Sequence, residues 1–144
     1  MKQVYLYADG HCKGVGTETA AGSWSARLHY KENVKELAGF ESGSSGNRME
    51  LTAVIEGLRA LKVPCHVSVM SDSTYVINGA CSLRSWMERN WTRKDGKPIA
   101  NVDLWKEVLA AAKEGGHKVS FHYHKPEAKS QRGFDFSSRK EGEE

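Results

Sequence analysis

Long apolar runs are missing from this chain, and so is any large excess of one charge. No stretch is long enough to cross a bilayer as a helix, and the N-terminus enters a strand-like run without the apolar core of a secretory signal. Membrane-spanning and secreted classes are therefore not expected. A formal net charge of +3 is mildly basic: it permits a nucleic-acid partner without demanding one. Cysteine is also scarce. Cys12, Cys65 and Cys81 are odd in number and widely spaced, which fits neither a disulfide framework nor a metal-ligand pattern. Reduced thiols in a cytoplasmic protein are the expectation. No internal repeat is visible. What remains is a chain of 144 residues, read as one domain spanning 1–144 with room for a real core.

Hydrophobic periodicity orders that domain. Residues 3–9 alternate, with Val4, Leu6 and Ala8 on one face and Tyr5, Tyr7 and Asp9 on the other, which predicts a strand. Residues 10–22 are rich in Gly and Thr and read as a loop. Residues 23–30 and 34–41 read as two further strands joined by a hairpin at Lys31-Glu32-Asn33. After a flexible break at 42–46, Met49, Leu51, Val54, Ile55, Leu58 and Leu61 recur at helical spacing, with Ser45 or Asn47 able to cap and Pro64 beyond the end. Residues 66–71 suit a fourth strand, and 73–90 a helix broken near Gly79. Asn101 can cap a helix over 102–113 that Gly115-Gly116 ends, and 118–123 suit a fifth strand. The predicted fold class is α/β, a five-stranded mixed sheet flanked by helices.

Three carboxylates stand at the ends of these elements. Asp9 closes the first strand, Glu50 opens the first helix and Asp72 follows the fourth strand. Read singly, the aspartates are ordinary turn formers and Glu50 a first-turn helix charge. Read together, they are the oxygen donors a hard divalent cation requires, and they suggest metal-dependent phosphoryl transfer.

The motifs around them carry a resemblance. Tyr-Ala-Asp-Gly-His-Cys (7–12), Asn-Arg-Met-Glu-Leu (47–51), Ser-Asp-Ser-Thr-Tyr-Val (71–76) and Asn-Val-Asp-Leu-Trp (101–105) stand in the order and at the intervals of the type 1 ribonuclease H family. Trp86, Trp91 and the basic stretch around them match as well. The likeness runs from residue 1 to about residue 123. It implies an endoribonuclease that hydrolyses the RNA strand of RNA–DNA hybrids and leaves 5′-phosphate and 3′-hydroxyl ends. It also implies two Mg²⁺ ions, roughly 3.5–4 Å apart, with Asp9 bridging them and Glu50 and Asp72 taking one side each. Mn²⁺ is a possible substitute.

The resemblance thins over 125–144. Asp135 matches the family's fourth carboxylate through the pattern Asp-x-x-x-Arg, and His124 its loop histidine, but the loop glycines and asparagine are absent. Either Asp135 completes the site from a remodelled loop, or three carboxylates do the work, with Glu127 a weaker substitute. An imidazole titrating near neutrality suits proton transfer or product release, a role open to His124 or to His122; His11 follows the Asp-Gly pair and falls close to the metals.

For substrate, the resemblance assigns Cys12, Lys13, Gly14 and Asn47 to the RNA side, where 2′-hydroxyls distinguish RNA from DNA. It assigns Ser44 and Ser45 to a DNA-strand phosphate. Thr74 stands where bacterial relatives carry a longer amide, as Gly46 does, which shortens reach. Residues 84–98 hold Arg84, Arg89, Arg93, Lys94 and Lys97 around the two tryptophans and match a basic handle. Within it Trp91, Arg93 and Lys94 are expected to touch the DNA strand, while Trp86 and Trp105 pack. The competing class is a hybrid-binding domain of the same fold with weak or lost catalysis; a nuclease for DNA or junctions fits the motifs less well. A monomer is expected, because no apolar stretch is left over for an interface.

Overall fold

The computed structural model describes residues 1–14 and 20–125. Its elements are β1 (Lys2–Lys13), β2 (Ala21–Tyr30), β3 (Asn33–Ser42), α1 (Gly46–Arg59), β4 (Cys65–Ser71), α2 (Thr74–Glu88), α3 (Val102–Gly115) and β5 (Lys118–Tyr123). The five strands form one sheet in the order β3-β2-β1-β4-β5. The β1/β2 and β2/β3 pairs are antiparallel, and the β1/β4 and β4/β5 pairs are parallel. That is the α/β mixed sheet expected. Hairpins join the first three strands, while the parallel strands need helical crossovers.

The core lies where α1 crosses β1 and β2 and meets α3. Leu6, Met49, Leu51, Val54, Val67, Val69 and Trp105 are fully buried there. The alternation of β1 places Val4, Leu6 and Ala8 under the helices, as its period of two requires. Tyr7, on the opposite face, is also buried, its ring edge-on to His29 and His124 at 5.3 Å each.

Several boundaries differ from the sequence reading. β1 does not stop at Asp9: β2 pairs with it as far as Lys13↔Ala21, so residues 10–13 belong to the strand and not to a loop. The β2–β3 hairpin turns on Lys31 and Glu32 alone, with Lys31 at φ 53 and Asn33 already paired to Tyr30. α2 runs through Gly79 without a break, because the missing side chain makes room for the Trp105 ring from α3. Ser45, not Asn47, caps α1, its Oγ accepting from Arg48 N at 3.2 Å. Asn101 precedes α3 in a left-handed conformation (φ 57) but makes no side-chain cap bond.

Candidate active site

Parallel pairing of β1 and β4 sets the first two carboxylates side by side. Tyr7 faces Met70 across the ladder, so two residues further on Asp9 and Asp72 emerge at the same end of the sheet. Glu50 arrives from the second turn of α1, a helix whose start rests directly on β1 at Gly10. A Cβ on Gly10 would fall inside the Met49–Glu50 backbone, closer than real Cβ contacts come, so only glycine lets the helix start sit there. The donor oxygens of Asp9, Glu50 and Asp72 lie within 4.8 Å of one another.

Glu50 is held on both oxygens. Gly10 N donates to Oε1 at 2.7 Å, and Ser71 Oγ reaches Oε2 at 3.5 Å while accepting from Ser73 N at 3.1 Å. Burial pushes the Glu50 carboxyl up to about 8; the charges of Asp9 and Asp72 add to this, and the Gly10 amide opposes it. Asp72 is raised by burial and by Asp9, and His124 works against that shift. Crowded this way, Glu50 and Asp72 resist ionisation. An all-oxygen, charge-rich donor set with no soft ligand fits a hard divalent cation, which would relieve the repulsion.

His124 belongs to this corner. Its backbone N donates to Ser71 O at 2.8 Å, its ring stands against Tyr7, and it is close enough to favour the charged form of Asp72. His122 is exposed, its Nε2 2.9 Å from Ser120 Oγ, and His11 is exposed on β1. Asp135 and Glu127 lie outside the described residues.

The positions expected to touch substrate fall into two groups. Cys12 donates its thiol to Ser44 O at 3.3 Å, which ties the end of β1 to the turn before α1. Lys13 and Gly14 are exposed just beyond; Ser44 is buried, Ser45 is the helix cap and Asn47 is exposed on the first turn. Thr74 is exposed at the start of α2, two residues after Asp72.

The second group lies apart from the carboxylates. α2 ends through Asn90 and Trp91, both at positive φ, with Trp91 N donating to Trp86 O at 2.7 Å. A turn follows, pinned by the Thr92–Pro98 bridge and by Arg93 N donating to Lys97 O at 2.8 Å. Trp91 is half-buried, 6.4 Å from the Trp86 ring and under the Lys106 ammonium at 5.6 Å. Trp86 packs edge-on to Trp105 at 5.6 Å. Arg93 is paired with Asp95 at 2.9 Å, and Lys94 is exposed.

Sequence reading missed a polar network behind the site. Arg48 donates to both oxygens of Asp103 (3.0 and 2.8 Å) and to Asn101 Oδ1 at 3.2 Å. Asn101 Nδ2 and Trp105 Nε1 both donate to Tyr75 OH, at 2.9 and 3.2 Å. The starts of α1, α2 and α3 are thereby tied together. The motifs at 47–51, 71–76 and 101–105 contain every member, but nothing in their spacing says that they meet.

The sequence model of the ribonuclease H family matches residues 1–131. The chain belongs to that family. A ribonuclease H from Thermoanaerobacter sp. strain X514 is 48% identical over 120 residues, covering 82% of this chain and 74% of the relative. A ribonuclease HI from Neisseria meningitidis serogroup B is 42% identical over 140 residues, covering 94% of this chain and 93% of the relative. The crystal structure of LC9-RNase H1, a type 1 RNase H with the type 2 active-site motif, superposes with a TM-score of 0.75 at 28% identity over 89% of this chain. The match takes in 65% of that structure, so this chain spans just under two thirds of its length. The type 1 ribonuclease H resemblance of the motifs therefore holds, as does the enzyme class, an endoribonuclease hydrolase. Among the described residues no helix is long and apolar enough to cross a membrane.

Proposed function

We propose that this ribonuclease H cleaves the RNA strand of RNA–DNA hybrids and leaves 5′-phosphate and 3′-hydroxyl ends. The observation that carries the reading is the three-carboxylate cluster, with its middle member buried and held on both oxygens. Two Mg²⁺ ions, or Mn²⁺ in their place, would supply an activated water and charge neutralisation at the leaving oxygen. Asp9, Glu50 and Asp72 would hold these ions, with Asp135 as a fourth donor.

The chain's own groups do the rest. Gly10 N and Ser71 hold Glu50 in one orientation, so the donors are set before substrate arrives. His124, beside Asp72, moves a proton to or from the reacting phosphate or assists product departure. Cys12, Lys13, Gly14 and Asn47 read the RNA strand, Ser44 and Ser45 meet a DNA-strand phosphate, and Thr74 reaches toward the base edges with a shorter side chain than the amide of bacterial relatives. Residues 84–98 serve as a basic handle through which Trp91, Arg93 and Lys94 meet the DNA strand, with Arg93 exchanging Asp95 for phosphate. A monomeric cytoplasmic enzyme in one domain fits this reading.

The test is cleavage of an end-labelled hybrid in Mg²⁺ and in Mn²⁺, with RNA and DNA duplexes alongside and Asp9→Asn protein as the control. Cutting confined to the RNA strand of the hybrid, lost in Asp9→Asn, is the expected result. Hybrid binding without cutting in either metal would refute the catalytic reading in favour of a binding domain.

A further inference from the structure

The ladder that sets Asp72 beside Asp9 continues outward to β5. Val67, Val69 and Ser71 pair with Val119, Phe121 and Tyr123, so these three β5 residues share the sheet face on which α1 rests. Val119 and Phe121 pack against the core there. Tyr123, next in the same phase, does not: its side chain is 52% exposed. Tyr7 and Tyr75 meet other rings, and Tyr30 meets a lysine ammonium. The Tyr123 side chain has no hydrogen bond or ring contact among the described residues.

Its place is the rim of the carboxylate site. Ser71, its ladder partner, reaches Glu50 Oε2 at 3.5 Å and is followed by Asp72. Neighbouring strands lie about 4.8 Å apart, so the phenol stands one strand away from the hydroxyl that steadies Glu50. His124 N donates to Ser71 O at 2.8 Å, which extends the ladder past Tyr123 and fixes its backbone. Lys125 is exposed just beyond and adds a cation to the same strand end.

We propose that Tyr123 is a substrate-binding residue. Its ring lies against the ribose of the RNA nucleotide next to the scissile phosphate, and its hydroxyl donates to a phosphate oxygen of that nucleotide. The role presupposes that the RNA strand is cut at the carboxylates, as proposed above. A strand held there must pass the neighbouring strand end, where Tyr123 waits without a partner. A flat apolar ring with a polar tip suits a sugar beside a phosphate. The bases of a hybrid are stacked inside the duplex, so the backbone is what this side chain meets, and the contact is independent of sequence.

Steady-state cleavage of an end-labelled hybrid by the full chain, Tyr123→Phe and Tyr123→Ala is the test. Tyr123→Ala should raise KM about tenfold with a smaller change in kcat, and Tyr123→Phe, which keeps the ring, about threefold. Melting temperatures should agree, because the side chain is outside the core. A phenol carries no charge and releases no counterion, so the dependence of log KM on log salt should keep its slope in all three proteins. A shallower slope in Tyr123→Ala would mean that the basic handle had moved, and would overturn the contact in favour of a structural role. Binding is read directly in Asp9→Asn protein grown with fluorotyrosine: the fluorine resonance assigned through Tyr123→Phe should shift when hybrid is added. Normal cleavage by the unsubstituted protein, with KM unchanged in Tyr123→Ala or with that resonance unmoved, overturns the role of Tyr123 alone. No cleavage of the hybrid by the unsubstituted protein overturns the functional reading, and the role of Tyr123 with it.

Discussion

Glu50 illustrates how much of a site one residue's surroundings decide. Its carboxyl sits where burial and two neighbouring acids both disfavour charge, yet the Gly10 amide and Ser71 hydroxyl fix it in place. Gly10 therefore has a larger role than its size suggests. Gly10→Ala should push the start of α1 off β1 and displace Glu50, for which a loss of about 100-fold in kcat/KM is expected. Steady-state cleavage of a hybrid measures it; a rate within a few fold of the unsubstituted enzyme would mean that the helix start yields without moving the carboxylate. His124 and His122 separate in the same assay. Contributions of general acids and bases run at about 10²–10⁴, so His124→Ala should lower kcat by at least about tenfold, while His122→Ala, pointed at Ser120, should leave it unchanged. The three carboxylates were legible in the sequence because the motifs around them stand in the family's order, even though β1 runs on past Asp9 to Lys13. Gly10 and Ser71 were not, because their partner is 40 residues away in one case and 21 in the other, and only packing joins them.

At the scale of the element, propensity was right about what forms and less good about where it stops. The helical spacing of 49–61 and the alternation of 3–9 reflect buried faces, and burial dominates both elements. Glycine misled in two places. Residues 10–14 hold two glycines and read as a loop, yet pairing with β2 keeps the strand going to Lys13. Gly79 read as a helix break, but its role is tertiary: a Cβ there would overlap the Trp105 ring, which is fully buried. This fixes the sign of Gly79→Ala. Alanine gains about 1 kcal/mol of helix propensity over glycine, whereas overpacking against a buried ring costs about 1–3 kcal/mol. Net destabilisation is expected, read as a lower urea midpoint at unchanged slope, and a higher midpoint would show that the ring gives way easily. Asn101 was placed correctly at the start of α3 but given the wrong task, since its amide serves Tyr75 and Arg48 in place of the helix cap.

For the molecule as a whole, the crowded acids make stability depend on pH and on divalent cation. Unfolded, Glu50 titrates near its ordinary value of 4.5; folded, it is raised to about 8, and Asp72 is raised as well. A carboxyl whose folded value is raised favours the native state while protonated. That contribution is fully present below pH 4.5 and is lost as pH climbs through about 8. Asp103 runs the other way, held down by Arg48, but its change falls below pH 4 and it is largely exposed, so it contributes little in this window. The metal-free protein should therefore melt lower at pH 8.5 than at pH 5.5. A drop of roughly 3 °C or more is expected, the shift that about 1 kcal/mol produces in a chain of this size. The decisive quantity is the difference between the unsubstituted protein and Glu50→Gln, which lacks the ionisation and should show a flatter profile. Millimolar Mg²⁺ binds the ionised cluster and should raise the melting temperature more at pH 8.5 than at pH 5.5, and hardly at all in Glu50→Gln. Parallel melting curves for the two proteins across pH, with and without Mg²⁺, would mean that water reaches Glu50 well enough to cancel the crowding, and that the cluster is held open without the energetic tension its geometry implies.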